Sequence, residues 1–372
     1  MRFPEFTEEW KAEQLDNIAT LSKGIGISKE QLSEDGEPCI LYGELYTKYK
    51  SEIIKQVESK TDINGSKLKR SKANDVIIPC SGETAVDIAT ARCVPFDNIL
   101  FGGDLNVISL HQYDGAFMSY QLNGKRKYDI ARVAQGVSIV HLYGEHLKAI
   151  KTYNPTLPEQ QKIAKLLSLL DDRIDTQNKI IEDLKLLKSA ISLNVLHSGT
   201  WKQFKIKDIA QIGRGRVISS IEISQQKNPT YPVYSSQTSN DGIMGYLDDY
   251  MFEGEYISWT TDGANAGTVF YRDGKFNCTN VCGLLKLLNG FDTHFVSLIL
   301  AEATKKYVSI NLANPKLMNN IMGNIQICLP EFEEQKRISI VFKKLQELLD
   351  VQKILLNQYS KQKQCLLRQM FI

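Results

Sequence analysis

Two long amphipathic segments, 175 residues apart, constrain this chain more than any other feature. In the first, Ile163, Leu167, Leu170, Ile174, Gln177, Ile181, Leu184, Lys188 and Ile191 follow one another in steps of four and three. That spacing is the seam of a coiled coil, the stripe a helix buries against a partner. In the second, Ile338, Phe342, Leu345, Leu349, Gln352, Leu356, Tyr359, Lys363 and Leu366 keep the same spacing, each one shift after its counterpart. The polar interruptions recur too, Gln177 with Gln352 and Lys188 with Lys363. Two amphipathic helices can arise independently, but not with the same polar defects in the same register. The chain is an internal repeat.

Thr156 followed by Glu159 is a capping-box signature, and Pro158 falls in the first turn, where a missing N–H costs nothing. His197, Ser198, Gly199 and Thr200 are expected to end the first helix, with Gly199 in the stop position. The second helix start keeps Pro330 for Pro155 but lacks the Thr cap and the second proline. Its first turn is expected to fray.

The stretches before the helices correspond at their starts. WKAEQLDNIATLSKG from Trp10 aligns with WKQFKIKDIAQIGRG from Trp201, setting Leu15 on Ile206, Ile18 on Ile209, Ala19 on Ala210 and Gly24 on Gly215. Beyond that the copies diverge, yet both hold short runs such as DVIIPCSG at Asp75 and GEYISWTTDG at Gly254, which read as strands ending in turns. The expected class is α+β: two tandem mostly-β modules, each followed by a long helix. The expected divisions are 1–155 and 199–329 for the modules, 156–198 and 330–372 for the helices. Because the second module starts just after the first helix ends, the second helix is expected to run back along the first. The pair then forms an antiparallel coiled-coil spacer of about 50 Å with pseudo-two-fold symmetry, at 1.5 Å of rise per residue. Gln177 is expected to face Gln352, where two amides satisfy each other and pin the register.

A length of 372 residues already favours two or more domains. No run approaches the ~20 apolar residues of a membrane span, and Met1 to Trp10 lacks a signal peptide's apolar core, so the expected location is the cytoplasm. Seven scattered cysteines fit reduced thiols. Cys278 and Cys282 lie closest, but no second pair or spaced histidine completes a zinc site, and no metal is expected. A net charge of +2 says almost nothing about nucleic acid.

Two diverged modules on one spacer suit a two-part target, and duplex DNA presents half-sites spaced along its axis. The residues also resemble a family. The helix-start pattern P-x-x-x-EQ-x-x-I occurs as Pro155, Glu159, Gln160 and Ile163, and again as Pro330, Glu334, Gln335 and Ile338. With the tandem layout, PCILYGELYTKY from Pro38 and the Trp-led module starts, it resembles type I restriction-modification specificity subunits over nearly the whole chain. The resemblance implies two target-recognition domains on a helical spacer, reading an asymmetric bipartite DNA site with a gap. It also implies two methyltransferase subunits carrying S-adenosylmethionine, and motor-nuclease subunits using ATP and Mg. No cofactor is expected on this chain.

Intrinsic catalysis finds little support. NPTL at Asn154 and NPKL at Asn314 lack the second proline and the aromatic of an adenine methyltransferase tetrad, and no GxxxxGK[ST] loop is present. The acidic pairs at Asp171, on the spacer, and Asp248, in a turn, are expected to be solvated charge rather than metal ligands. The alternatives are a coiled-coil adaptor without DNA specificity, suggested by the off-seam Leu166, Leu169, Ile180, Leu187, Val341, Leu348 and Leu355, or a nuclease with an unrecognised site. On the DNA reading, loops between strands carry the interface, where Lys and Arg reach phosphates and polar side chains read base edges. The candidates are Lys67, Lys69, Arg70, Lys125, Arg126 and Lys127 in the first module. In the second they are Arg214, Arg216, Ser236, Gln237, Thr238 and Lys275.

Overall fold

The computed structural model describes residues 2–195, 201–309 and 314–371. The chain divides into two compact units: Met1–Ile181 with Gln352–Ile372, and Glu182–Val351. The division falls within both long helices, so each unit holds one module and a part of each helix.

In the first unit, strand Lys11–Gln14 pairs antiparallel with Lys151–Asn154, so the chain's way in and way out of the module run side by side. A one-turn helix, Leu15–Ile18, leads into a four-stranded antiparallel sheet in the order Ala19–Lys23, Leu105–Leu110, Asp75–Pro79, Arg92–Val94. A smaller sheet has the order Lys60–Thr61, Glu37–Ile40, Leu100–Phe101, Lys69–Arg70, and its central pair is parallel. Strand Asp75–Pro79 is buried along its whole length. Its pleat sends Val76 and Ile78 into a core with Ile108, Met118 and Leu122, and Ile77 into a second core with Ile40, Leu45 and Phe101. That is why DVIIP reads as an uninterrupted apolar run.

The second unit repeats this plan. Lys202–Lys205 pairs with Gln326–Leu329, helix Ile206–Ile209 follows, and the larger sheet runs Ala210–Arg214, Cys282–Leu287, Tyr256–Thr260, Val269–Arg272. The smaller sheet runs Ile243–Leu247, Tyr231–Tyr234, Lys275–Cys278, Phe252–Glu253, again around a parallel central pair. Local devices recur with the topology. Trp10 packs edge-on against Phe117 at 5.8 Å, and Trp201 against Phe295 at 5.9 Å. At Gly24 a Cβ would stand 1.9 Å from the Gly102 carbonyl oxygen, and at Gly215 1.7 Å from that of Cys278. The shared glycine is a close backbone approach that no side chain fits.

The long helices are Leu157–Val195 and Phe332–Gln369. The stop expected at His197 to Thr200 lies outside the described residues. Within the first unit the two helices run antiparallel: Gln177 hydrogen-bonds Gln352, Asp171 meets Lys363, and Ile163 clusters with Met370. Within the second unit Lys188 donates to Gln346 at 2.8 Å, in the same register. Every seam residue of both helices is buried or half-buried, whereas Leu169, Ile180, Leu187, Val341 and Leu348 are exposed and Leu166 and Leu355 half-buried.

Two expectations about the helix starts need correction. Glu159 does not close a capping box: both its carboxylate oxygens accept from Arg2 at 2.7 Å. The second helix also keeps its first turn, starting at Phe332, the counterpart of Leu157. The reason is the glutamine of the repeated EQ pair. Gln160 donates to the Pro155 carbonyl and accepts from the Asp114 N–H, while Asp114 caps helix Gly115–Asn123. Gln335 does the same with Pro330 and Asp292, which caps helix Thr293–Ala303. One buried amide thus ties each long helix to its own module and satisfies helix-end groups that would otherwise lack partners.

Candidate nucleic-acid interface

The basic residues singled out in the sequence fall into three environments. Lys67 is exposed at the end of the turn Gly65–Lys67, and Lys69 and Arg70 form an edge strand of the smaller sheet, where Arg70 grips Glu37 through two bonds of 2.6 and 3.0 Å. Arg214 ends a strand of the larger sheet and bonds Asn319 at 2.9 Å, and Arg216 forms a bidentate pair with Glu222. Lys275 opens a strand of the smaller sheet, 4.5 Å over the Tyr250 ring and 3.7 Å from Glu253. These sit at strand ends, as a loop-built interface requires.

Lys125, Arg126 and Lys127 do not. They lie at the junction of helices Gly115–Asn123 and Lys127–Val133, where the neighbouring Gly124 faces the Leu367 carbonyl of the second long helix. Arg126 is half-buried against Asp129 at 3.1 Å and the Tyr153 ring at 5.2 Å. Burial lowers the pKa of Lys127. This run is a docking corner between module and helix rather than a loop between strands.

Ser236, Gln237 and Thr238 stand in a polar loop after strand Tyr231–Tyr234. Gln237 is folded inward, its Nε2 donating to the Ile243 carbonyl, while Thr238 is exposed. The loop rests on a residue that carries no mark in the sequence. Arg272 is buried, with its guanidinium 3.6 Å from the Tyr234 ring and 4.4 Å from that of Phe270. It donates to the Asp241 carboxylate at 3.0 Å, the Asp241 carbonyl at 2.9 Å and the Ser258 hydroxyl at 3.0 Å.

Asp171 is another departure from the sequence reading, which took it for solvated charge. It is buried, 2.6 Å from Lys363, and accepts from the Tyr120 hydroxyl at 2.6 Å; Lys363 also meets Glu52 at 2.5 Å. Burial raises the pKa of Asp171, Lys363 opposes that rise, and Glu52 adds to it. Burial alone would lower Lys363, but Glu52 and Asp171 together hold it above its ordinary value. A lysine shared by two carboxylates is a structural clasp, with no open face for a metal. Asp248, by contrast, lies in an exposed turn and accepts from the backbone of Lys227 and Asn228. Cys278 and Cys282 are buried thiols in an apolar cluster with Phe276 and Leu284. Among the described residues no group of three or more His, Cys, Asp or Glu side chains could hold a metal, and no helix is long and apolar enough to cross a membrane.

Comparison with known proteins agrees with this duplicated architecture. The family described as type I restriction modification DNA specificity domain matches twice, over residues 7–186 and 198–358. The chain is 37% identical over 189 residues to the putative type I specificity subunit S.MpnORF201P of Mycoplasma pneumoniae, covering 50% of this chain and 78% of that protein. It is 43% identical over 141 residues to the type I restriction enzyme MpnII specificity subunit of the same organism, covering 37% of this chain and 42% of that one. The crystal structure of the type I restriction-modification S subunit from M. genitalium shares the fold with a TM-score of 0.71 at 18% identity, over 100% of this chain and 97% of that one. The chain belongs to the family of type I restriction-modification DNA specificity subunits. Its role is recognition of DNA within such a system.

Proposed function

We propose that this chain is the non-catalytic reader of a two-part, asymmetric DNA site with an unread gap, one module per half. It would direct adenine methylation or cleavage by other subunits in the cytoplasm. The observation that carries this reading is one scaffold built twice with unlike loops. Strand order, parallel central pair, glycine approach, Trp–Phe contact and glutamine clamp all recur, while the loops at the strand ends share little sequence. Two unlike loop sets on one scaffold are what reading two different half-sites demands.

On this reading two methyltransferase subunits bring S-adenosylmethionine and motor-nuclease subunits bring ATP and Mg. This chain's residues position DNA by phosphate contacts and specify it by base contacts. Affinity for the site should fall steeply as salt rises, because phosphate contacts release counterions. The test is a module exchange. Replacing residues 10–154 by the equivalent part of a relative, in a complex with methyltransferase subunits, should change one half of the methylated sequence and leave the other. A change in both halves, or methyl transfer by the purified single chain, would sink the reading.

A further inference from the structure

We infer that residues 41–47 and 235–242 are the base-reading loops of the two modules, and that buried Arg92 and Arg272 are the positioning residues that hold them in shape. The inference rests on the DNA reading above and names the part of each module that carries it. The two loops are topological counterparts. Each follows the central strand of the smaller sheet, Glu37–Ile40 in one module and Tyr231–Tyr234 in the other. Each is tied to an arginine on the edge strand of the larger sheet, Arg92–Val94 or Val269–Arg272.

In the second module the loop combines local preference with an outside constraint. Asn240 and Asp241 both hold left-handed backbone, φ 49° and 55°. Asn and Asp are the non-glycine residues that adopt it most readily in tight turns, and a tertiary constraint holds the turn in place. Arg272 supplies that constraint, taking the Asp241 carboxylate and carbonyl together, while the Ser235 N–H to Gly242 carbonyl bond of 2.9 Å closes the loop's neck. Thr238, Ser239 and Asn240 are left exposed. These are neutral donors and acceptors, side chains able to bond base edges as well as phosphates.

In the first module residues 44–47 of the segment form a helical turn, and Arg92 donates to the Tyr49 carbonyl just beyond it at 2.7 Å and, at the limit of a hydrogen bond, to that of Leu45 within it at 3.5 Å. Buried Glu44 folds the loop back on itself, accepting from the Leu41 N–H at 2.9 Å and from the Ser59 hydroxyl. Tyr42 and Tyr46 are left exposed over a cleft of about 720 Å³ that Arg92 helps to line. Burying a guanidinium is costly unless its donors are satisfied. Both modules carry that cost on the same edge strand, though two residues apart in register, Arg92 opposite Ile77 and Arg272 opposite Tyr256, beside segments of different sequence, LYGELYT and SSQTSNDG.

The experiment uses the full chain assembled with its methyltransferase subunits and selects from duplex DNA with randomised positions. Wild type should enrich a two-part motif. The exposed double variant Thr238→Ala/Asn240→Ala should lose about tenfold or more of its base preference at positions of one half only, the size of a lost base-edge contact. Tyr42→Ala should do so in the other half only. Arg272→Lys, whose single ammonium cannot span the arginine's partners, should relax the same half as the loop variant, with the other half and the salt dependence of binding unchanged. Unaltered motifs in the loop variants would overturn the proposal, as would an Arg272→Lys loss spread evenly over all sequences. Should Arg272→Lys fail to fold, the surface variants decide alone. Wild type enriching no motif would instead overturn the DNA reading itself.

Discussion

The two units close on their helices with different chemistry at the same place. The repeat shift carries Asp171 onto Gln346 and Lys188 onto Lys363, so the pair Asp171–Lys363 of the first unit and Gln346–Lys188 of the second are one contact seen twice. In the first it is an ion cluster, completed by Glu52 and Tyr120 from the module. In the second it is a lysine on an amide, and that amide's other arm goes to Asp350. Helix pairing therefore needs a polar match at this level but not a particular one. The ionic version is less forgiving, because buried charges depend on every partner being present.

Removing the shared cation should have the largest effect. Lys363→Met leaves two carboxylates in a nearly closed site with only the non-bonded Arg92 as counter-charge and is expected to cost about 3 kcal/mol, whereas Lys188→Met should cost about 1 kcal/mol or less. Chemical denaturation of both variants measures the difference, and equal costs would erase the distinction between the units. The triple variant Glu52→Gln/Asp171→Asn/Lys363→Met, which removes the three hydrogen-bonded charges but leaves buried Arg92 beside them, should recover part of the loss.

The next contrast is pH. Beside Phe295 the second unit carries His294, bonded to Ser339 at 3.0 Å, where the first has Ala116 beside Phe117. Burial first, and then Lys343, push the pKa of His294 down from 6.5 to about 4. The unfolded chain therefore binds a proton at this site before the folded one does. The contribution to stability is complete above about pH 6.5 and is lost as pH falls toward 4, its size reduced by solvent screening of the partly exposed ring. Unfolding of wild type and His294→Gln at pH 7 and pH 5 should converge at the lower pH, and parallel pH profiles would refute the assignment.

Where the units are alike, their variants should behave alike. Gln160→Ala and Gln335→Ala each strand a helix-cap amide and a proline carbonyl, at an expected cost of about 1–3 kcal/mol apiece. A cost confined to one would show that the clamp is not an equivalent device in both. The smallest effect is expected at the middle of the helix pair. Gln177→Leu should cost about 1 kcal/mol by leaving the Gln352 amide unmatched, and Gln177→Leu/Gln352→Leu should regain it while loosening the register. The same denaturation series, with cysteine crosslinking across the seam to read register, distinguishes these outcomes.

The sequence by itself determined the repeat, the antiparallel helix pairing and the pairing of Gln177 with Gln352, because a coiled-coil seam is a periodic property written along one stretch of chain. It also exposed the EQ motif, though not its purpose: the capping-box reading of Glu159 assumed a local partner, and the true one, Arg2, lies 157 residues away. The tertiary structure alone decided that Asp171 is buried, since its partner Glu52 stands 311 residues from the lysine they share. It likewise placed Lys125, Arg126 and Lys127 in a docking corner, and put Arg92 and Arg272 under loops distant in sequence. A charge looks the same in sequence whether water or a buried counter-charge neutralises it. Only the packing of module against helix, and of strand against loop, settles which.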